Sequence, residues 1–306
     1  MTLAGGSGSA QRHYPAFQQS CVDTSRNKEN SSMTTQTNNP QGATAAQALQ
    51  AMRDARPLVH NITNYVVMNF TANVLLSAGA SPIMAHAPEE MEELVAICSS
   101  LVINIGTLSA PWVDSMVLAG KTAAKLNKPV VLDPVGAGAS KLRTDSAWRI
   151  IKEAGVSVIR GNASEIMALQ MADATTRGVD SSHEVSEAKD IAQSLAKNLG
   201  ATVAVTGAQD LVTDGYTTLS VDNGHELMSM VTGTGCAASS IIGAFVGSIS
   251  DTLSATASGL AYFGVAGQWA ATQAQLPGSF MIQFIDGLHQ VSPAMVQDQA
   301  LIAAVE

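Results

Sequence analysis

The chain has 306 residues, of which 46% are hydrophobic and 13% charged, and its net charge is −9. That length supports one large α/β body or two small ones, and the apolar content excludes a chain that stays unfolded. With no basic stripe to neutralise a phosphate backbone, a nucleic-acid partner is excluded; small phosphorylated ligands, held by local dipoles, are not.

Residues 1–41 are rich in Ser, Asn, Gln and Gly and carry no apolar period. They read as a disordered tail ahead of a domain at 42–306, and they lack the apolar stretch of a secretory signal. Met33 is a second candidate start. The cysteines, Cys21, Cys98 and Cys236, form no C-x-x-C pair and have no zinc spacing, so a reducing, cytoplasmic setting is expected. The Asn-x-Ser/Thr sequons at Asn30, Asn61, Asn69 and Asn162 then read as chance.

From PLVHNIT onward, strand-like runs alternate with helical patterns. The strands are PLVHNIT, SPIMA, LVINIG, KPVVLDPV, VSVIRG and TVAVTG. Between them lie NYVVMNFTANVLLSAG, PEEMEELVAICSS, APWVDSMVLAGKTAAKLN, SAWRIIKEAG, SEIMALQMA and HEVSEAKDIAQSLAKNLG. This order predicts βαβ units and a mostly parallel sheet with helices on both faces. AQDLVTDGYTTLSVDNG, with its D-G and N-G turns, predicts an antiparallel extension. A helical C-terminal third follows. No charge occurs between Glu226 and Asp251, or between Asp251 and Asp286. Gly, Ala, Ser and Thr dominate both stretches, which favours buried helices over membrane spans.

Ligands of such sheets bind beyond the carboxyl ends of the strands, and polar residues gather there. Asn61 and Thr63 follow the first strand, Met84 ends the second, and Asn104 and Gly106 end the third. Asp133 ends the fourth, Arg160 and Asn162 follow the fifth, and Thr206 with Gly207 ends the sixth. Asp133 suits Mg²⁺ or substrate, or is a plain turn aspartate. Asn162 and Glu165 share one face of a helix start, either for chemistry or as a capping box. Arg160 suits a phosphate, or is a surface ion pair.

In VTGTGCAASS a glycine turn meets a helix start. The N–H groups of Gly233, Thr234 and Gly235 converge there into an anion hole. Cys236 is at its mouth. A helix start lowers a thiol pKa and makes a base or nucleophile; alternatively Cys236 is a small filler, like Ala237, Ala238, Ser239 and Ser240 beside it.

Taken in order, VHNITNYVVMNFTANVLLSAGASPIMAHAPEEMEEL, LVINIGTL, PVVLDPVGAGAS, VIRGNASEI, VAVTGAQDLVTDG and VTGTGC resemble the hydroxyethylthiazole kinases, from about Leu49 to the C-terminus. The resemblance implies a ribokinase-like three-layer fold. It also implies Mg-ATP-dependent phosphorylation of a thiazole alcohol in thiamine salvage, by a cytoplasmic homotrimer without membrane or nucleic-acid partners. Motif by motif, it implies Met84 and Gly233 at the thiazole, Asp133 and Glu165 around Mg²⁺, Arg160 and Thr206 at ATP, and Cys236 as the catalytic residue. Two other functions compete on this scaffold: a nucleotide-dependent dehydratase that repairs hydrated nicotinamide cofactors, and a non-catalytic vitamin or nucleotide sensor.

Overall fold

A computed structural model describes residues 40–177 and 188–305. The segment expected to be a tail lies outside the described residues up to position 39, but Pro40 and Gln41 already belong to the first helix.

The six parallel strands fall where the apolar runs predict: β1 (Leu58–Ile62), β2 (Ser81–Met84), β3 (Ser100–Asn104), β4 (Val130–Asp133), β5 (Val158–Asn162) and β6 (Thr202–Thr206). The predicted extension forms β7 (Asp210–Thr213) and β8 (Thr218–Val221), and β9 (Ile302–Ala304) adds to it, all three antiparallel. The sheet order is β2-β1-β3-β4-β5-β6-β7-β8-β9.

Alternate residues of each central strand enter opposite cores, as the period of two requires. Val102, Val131, Val158 and Ala204 face one core. Leu101, Ile103, Val130, Leu132, Ile159, Val203 and Val205 face the other. The second core is covered by α3 (Met91–Ile97), α4 (Ala110–Lys125), α5 (Lys141–Glu153), α6 (Ala163–Arg177) and α7 (Ala188–Leu199). The first is covered by α1 (Pro40–Ala55), α2 (Met68–Ala78), α8 (Thr234–Val246), α9 (Thr252–Gln273), α10 (Pro277–Gln290) and α11 (Pro293–Gln299). The result is the expected three-layer α/β architecture.

The uncharged stretches are α8 and α9, both buried along most of their length. Among the described residues no helix is long and apolar enough to cross a membrane.

Two elements escape the sequence reading. Helix α1 has a thin stripe, Ala45, Leu49 and Met52, spaced i, i+4, i+7 in an Ala/Gln-rich segment. Its stability comes from packing on α9 and α11 and not from a strong pattern. Strand β9 corrects the expectation of a wholly helical C-terminal third: three residues are too short for a period, and only the free edge of β8 selects them.

Because Leu49 is fully buried, Leu49→Ala should destabilise the protein by about 2–5 kcal/mol in a denaturant titration. A loss below about 0.5 kcal/mol would mean that α1 is not part of the cooperative core.

Candidate active site at the carboxyl edge of the sheet

Parallel register places the strand ends side by side. Asn61 pairs with Met84 and Val102, Asn104 with Asp133, and Asn162 with Thr206. Each predicted polar residue therefore stands on one rim, and α8 points its N-terminus at that rim.

Asp133 is fully buried. Its Oδ2 accepts from Asn104 Nδ2 at 2.8 Å and from Ser239 Oγ at 2.8 Å, and lies 3.7 Å from Arg160 Nη1. Its Oδ1 has no partner among the described residues. Burial pushes the Asp133 carboxyl above its usual range, and the Arg160 charge pulls it back.

Arg160 also donates through Nη2 to the hydroxyl of Thr206, while its guanidinium packs under the start of α8. A Cβ on Gly235 would lie 2.8 Å from Nη1, so the bare glycine lets the guanidinium sit close against the helix start. Gly233, at φ 87°, is the N-cap of α8 and has no side chain to satisfy the N–H groups of the first turn. A Cβ on Gly233 would strike Val67 at 2.6 Å, which locks the start of α2 against the start of α8.

Arg160, Asn162, Thr206, Thr234 and Gly235 line a cleft of about 580 Å³, together with the apolar Met228, Leu260 and Phe263 and the acidic Asp210, Asp222 and Glu226. A concave site that mixes apolar walls with a few polar groups is suited to a small-molecule ligand.

Glu165 forms the capping box in full. Its Oε2 accepts from the Asn162 N–H at 2.8 Å, and Asn162 Oδ1 accepts from the Glu165 N–H at 2.9 Å. Glu165 Oε1 accepts from the Gly136 N–H at 2.8 Å, which ties the glycine loop after β4 to α6. Arg143 holds the same loop from below, donating to the carbonyls of Val135, Ile105 and Gly106 at 2.6, 3.0 and 2.8 Å.

Cys236 is half-buried at the helix start, as predicted. The expected lowering of its pKa is overturned. Burial pushes the thiol up, and the negative charge of Asp133 adds to this; the amides of Asn104 and Asn64 and the Arg160 charge only partly offset it. The favourable helix start is outweighed by desolvation of the thiolate. Met84 stands beside Asn61 across β1 and β2.

The site also contains residues outside the set expected from the sequence. Ser239 and Ser240 are not fillers: they bind Asp133 Oδ2 and Asn61 Oδ1, at 2.8 and 2.7 Å. Their spacing of i+3 and i+4 from Cys236 was the available signal, since it puts all three on one helical face. Asn64 donates to Cys236 Sγ at 3.4 Å. Asp210, in the cleft, accepts from the Gly207 N–H at 2.9 Å, and burial pushes its carboxyl up to about 6.

The model of the "Hydroxyethylthiazole kinase family" matches residues 49–294. A hydroxyethylthiazole kinase of Desulfotalea psychrophila is 56% identical over 254 residues, covering 83% of this chain and 93% of that protein. The solved structure of a hydroxyethylthiazole kinase protein from Pyrococcus horikoshii superposes with a TM-score of 0.80 at 46% identity, over 86% of this chain and 99% of that one. A ribokinase-like superfamily protein of Enterococcus faecalis, at 13% identity and a TM-score of 0.57 over 79% of this chain and 89% of that one, shares the fold.

Asp210 sets a pH test. A carboxyl with a raised folded-state pKa binds its proton more tightly folded than unfolded. Its charge therefore opposes folding above about pH 6, and the penalty fades as pH falls toward the ordinary carboxylate range. Asp210→Asn keeps the acceptor for Gly207 and should gain about 1 kcal/mol at pH 8, shrinking at pH 5. Equal gains at both values in urea titrations would contradict the assignment.

Proposed function

The chain belongs to the hydroxyethylthiazole kinase family and is a phosphotransferase of thiamine salvage; we propose that its residues divide the transfer from ATP to the thiazole alcohol as follows. The cleft holds the nucleotide, with Arg160 and Thr206 at the phosphates. The N–H groups of Gly233, Thr234 and Gly235 face the γ-phosphoryl group and stabilise the charge spread over its oxygens. Met84 and Gly233 flank the thiazole, so that its hydroxyl lies between Cys236 and the α8 N-terminus. The hydroxyl oxygen forms the new bond to the γ-phosphorus, the bond to the bridging oxygen breaks, and ADP leaves with that electron pair. Cys236 Sγ takes the hydroxyl proton. A thiol pushed up by burial is mostly protonated at neutral pH, so only a minor thiolate fraction acts; that fraction is correspondingly basic, and a loose transition state asks for little proton transfer before the bond forms.

Mg²⁺ fits this donor set. The unpartnered, buried Oδ1 of Asp133 is an available oxygen, and each Glu165 oxygen keeps a second lone pair beside its N–H contact. Two carboxylates without a closed protein cage suit an ion that keeps water and phosphate ligands. When bound, it would neutralise phosphate charge. Tyr65, Val66 and Leu76 are exposed on and just before α2, which begins against the α8 N-terminus; such apolar exposure beside the site is compatible with a subunit boundary there, as in the homotrimer that the family resemblance implies.

The observation that carries the proposal is Arg160 wedged under Gly235, which sets a cation beside a helix N-terminus in the lining of the cleft, one residue from Cys236. ADP should form from ATP only when the thiazole alcohol is present, and EDTA should stop turnover until Mg²⁺ is restored. Turnover of pyrimidine or pyridoxal alcohols without the thiazole would overturn the substrate; a dehydratase would release ADP with a hydrated nicotinamide cofactor instead, and a sensor would show no turnover.

Cys236→Ala should lower kcat by roughly 10²–10⁴-fold with little change in KM. Cys236→Asp should retain activity, and Cys236→Ser should resemble alanine. Equal turnover in all four proteins would assign the rate to the anion hole and metal, and leave Cys236 a matter of size.

A further inference from the structure

We infer that Asn64 is a positioning residue for the reaction: its carboxamide aims an N–H at the Cys236 sulfur, in an orientation that two main-chain N–H groups make unique. This rests on the reading of Cys236 as the base.

Asn64 is buried between the end of β1 and the start of α2. Its Oδ1 accepts from the Val66 N–H at 3.1 Å, so Nδ2 is the end that faces inward. There it donates to Asn104 Oδ1 at 2.8 Å and to Cys236 Sγ at 3.4 Å, using both hydrogens. Asn104 is fixed in the same way. Its Oδ1 accepts from the Gly106 N–H at 2.9 Å, so its Nδ2 faces Asp133 Oδ2. Reversing the Asn64 amide would set oxygen against the Asn104 oxygen and leave the Val66 N–H facing an NH₂ group; reversing Asn104 would set NH₂ groups against Asn64 and the Gly106 N–H, and an oxygen against Asp133. The donors therefore run one way, toward the carboxylate and the sulfur.

The carboxamide also has little room to move. A Cβ on Gly106 would lie 2.6 Å from Asn64 Nδ2 and 2.8 Å from its Cγ, so the amide rests on a bare glycine.

The chemical consequence concerns the sulfur lone pairs. An N–H aimed at Sγ occupies one lone pair and turns the thiol hydrogen away. It holds a thiolate more strongly than a thiol, because a hydrogen bond to an ionised acceptor is the stronger. Burial and Asp133 oppose the thiolate, and Asn64 offsets them. Raising the thiolate population costs the base only part of the same factor in basicity, so the net effect on rate is positive.

A purely structural Asn64 would hold the turn through its Oδ1 alone. Asn64→Asp keeps that acceptor and removes the N–H donors, so the two roles separate. Using the full-length protein with ATP and the thiazole alcohol, Asn64→Asp should lower kcat about 10- to 100-fold; it also sets a buried carboxylate against the Asn104 oxygen, so the melting temperature falls, and the comparisons that follow are made on protein still folded at the assay temperature. In a Cys236→Ala background the same change should alter kcat by no more than about 2-fold. Iodoacetamide labelling of Cys236 at one fixed pH, read by peptide mass, should slow by about 10-fold. Gly106→Ala, which displaces the amide without adding charge, should slow labelling and turnover in the same direction and carries the test if Asn64→Asp does not fold. Equal kcat losses in both cysteine backgrounds, with unchanged labelling, would overturn the role of Asn64 while leaving Cys236 as base. If Cys236→Ala keeps full kcat, the base assignment fails instead; labelling unchanged by either variant would then also overturn the Asn64–Cys236 contact.

Discussion

Burial of the Asp133 carboxylate is the constraint from which the site is built. An ion of this size taken fully out of water costs several kcal/mol even after relaxation. The compensation comes from three different elements: Asn104 at the end of β3, Arg160 on β5, and Ser239 on α8. Holding one charge in place therefore fixes two neighbouring strand ends and a helix relative to β4. The compensation is incomplete, because burial still raises the carboxyl and Oδ1 has no partner among the described residues. Such an arrangement suits a site whose remaining charge balance arrives with its ligands, at the expense of stability in the empty protein.

Helix α8 transmits that constraint to the reacting end. It is uncharged and almost wholly buried, so salt bridges cannot set its register. Hydroxyl pins from Ser239 and Ser240 and close packing of Gly243 on Val59 and Val102 set it instead. With the helix body held, its N-terminus has one position, and the Arg160 guanidinium fills the space under Gly235. The same rigidity explains the raised Cys236 thiol. The helix dipole favours a thiolate, but the packing that aims the dipole also removes water from the sulfur. Charge at this cysteine is governed by its amide neighbours and by Asp133 more than by its place on the helix.

Much of the fold was legible because its signals are local. Six parallel strands read from apolar runs such as LVINIG and KPVVLDPV, since a strand buried on both faces needs no polar alternation. The D-G and N-G turns marked β7 and β8. The rim was legible too, because strand ends with polar residues converge in any parallel sheet. Helix α1 and strand β9 were not, since one has a thin apolar stripe and the other three residues, and both exist through the partners they pack against or pair with.

By itself the sequence determined the residue types at the rim, their order, the glycine turn before α8, and the family they resemble. Tertiary structure alone decided which of them meet. The spacing of Asn162 and Glu165 shows a capping box, but not that the second Glu165 oxygen takes the Gly136 N–H and ties the glycine loop to α6. Ser239 and Ser240 look like fillers until Asp133 and Asn61 stand opposite them. A lowered thiol pKa follows from the helix start, and a raised one from the burial that no local pattern encodes. The physical reason is the same in each case: propensity and periodicity act between near neighbours in the chain, whereas desolvation, charge compensation and hydrogen-bond direction depend on groups brought together from 40 residues away, as with Asn64 and Asn104, or 172, as with Asn64 and Cys236.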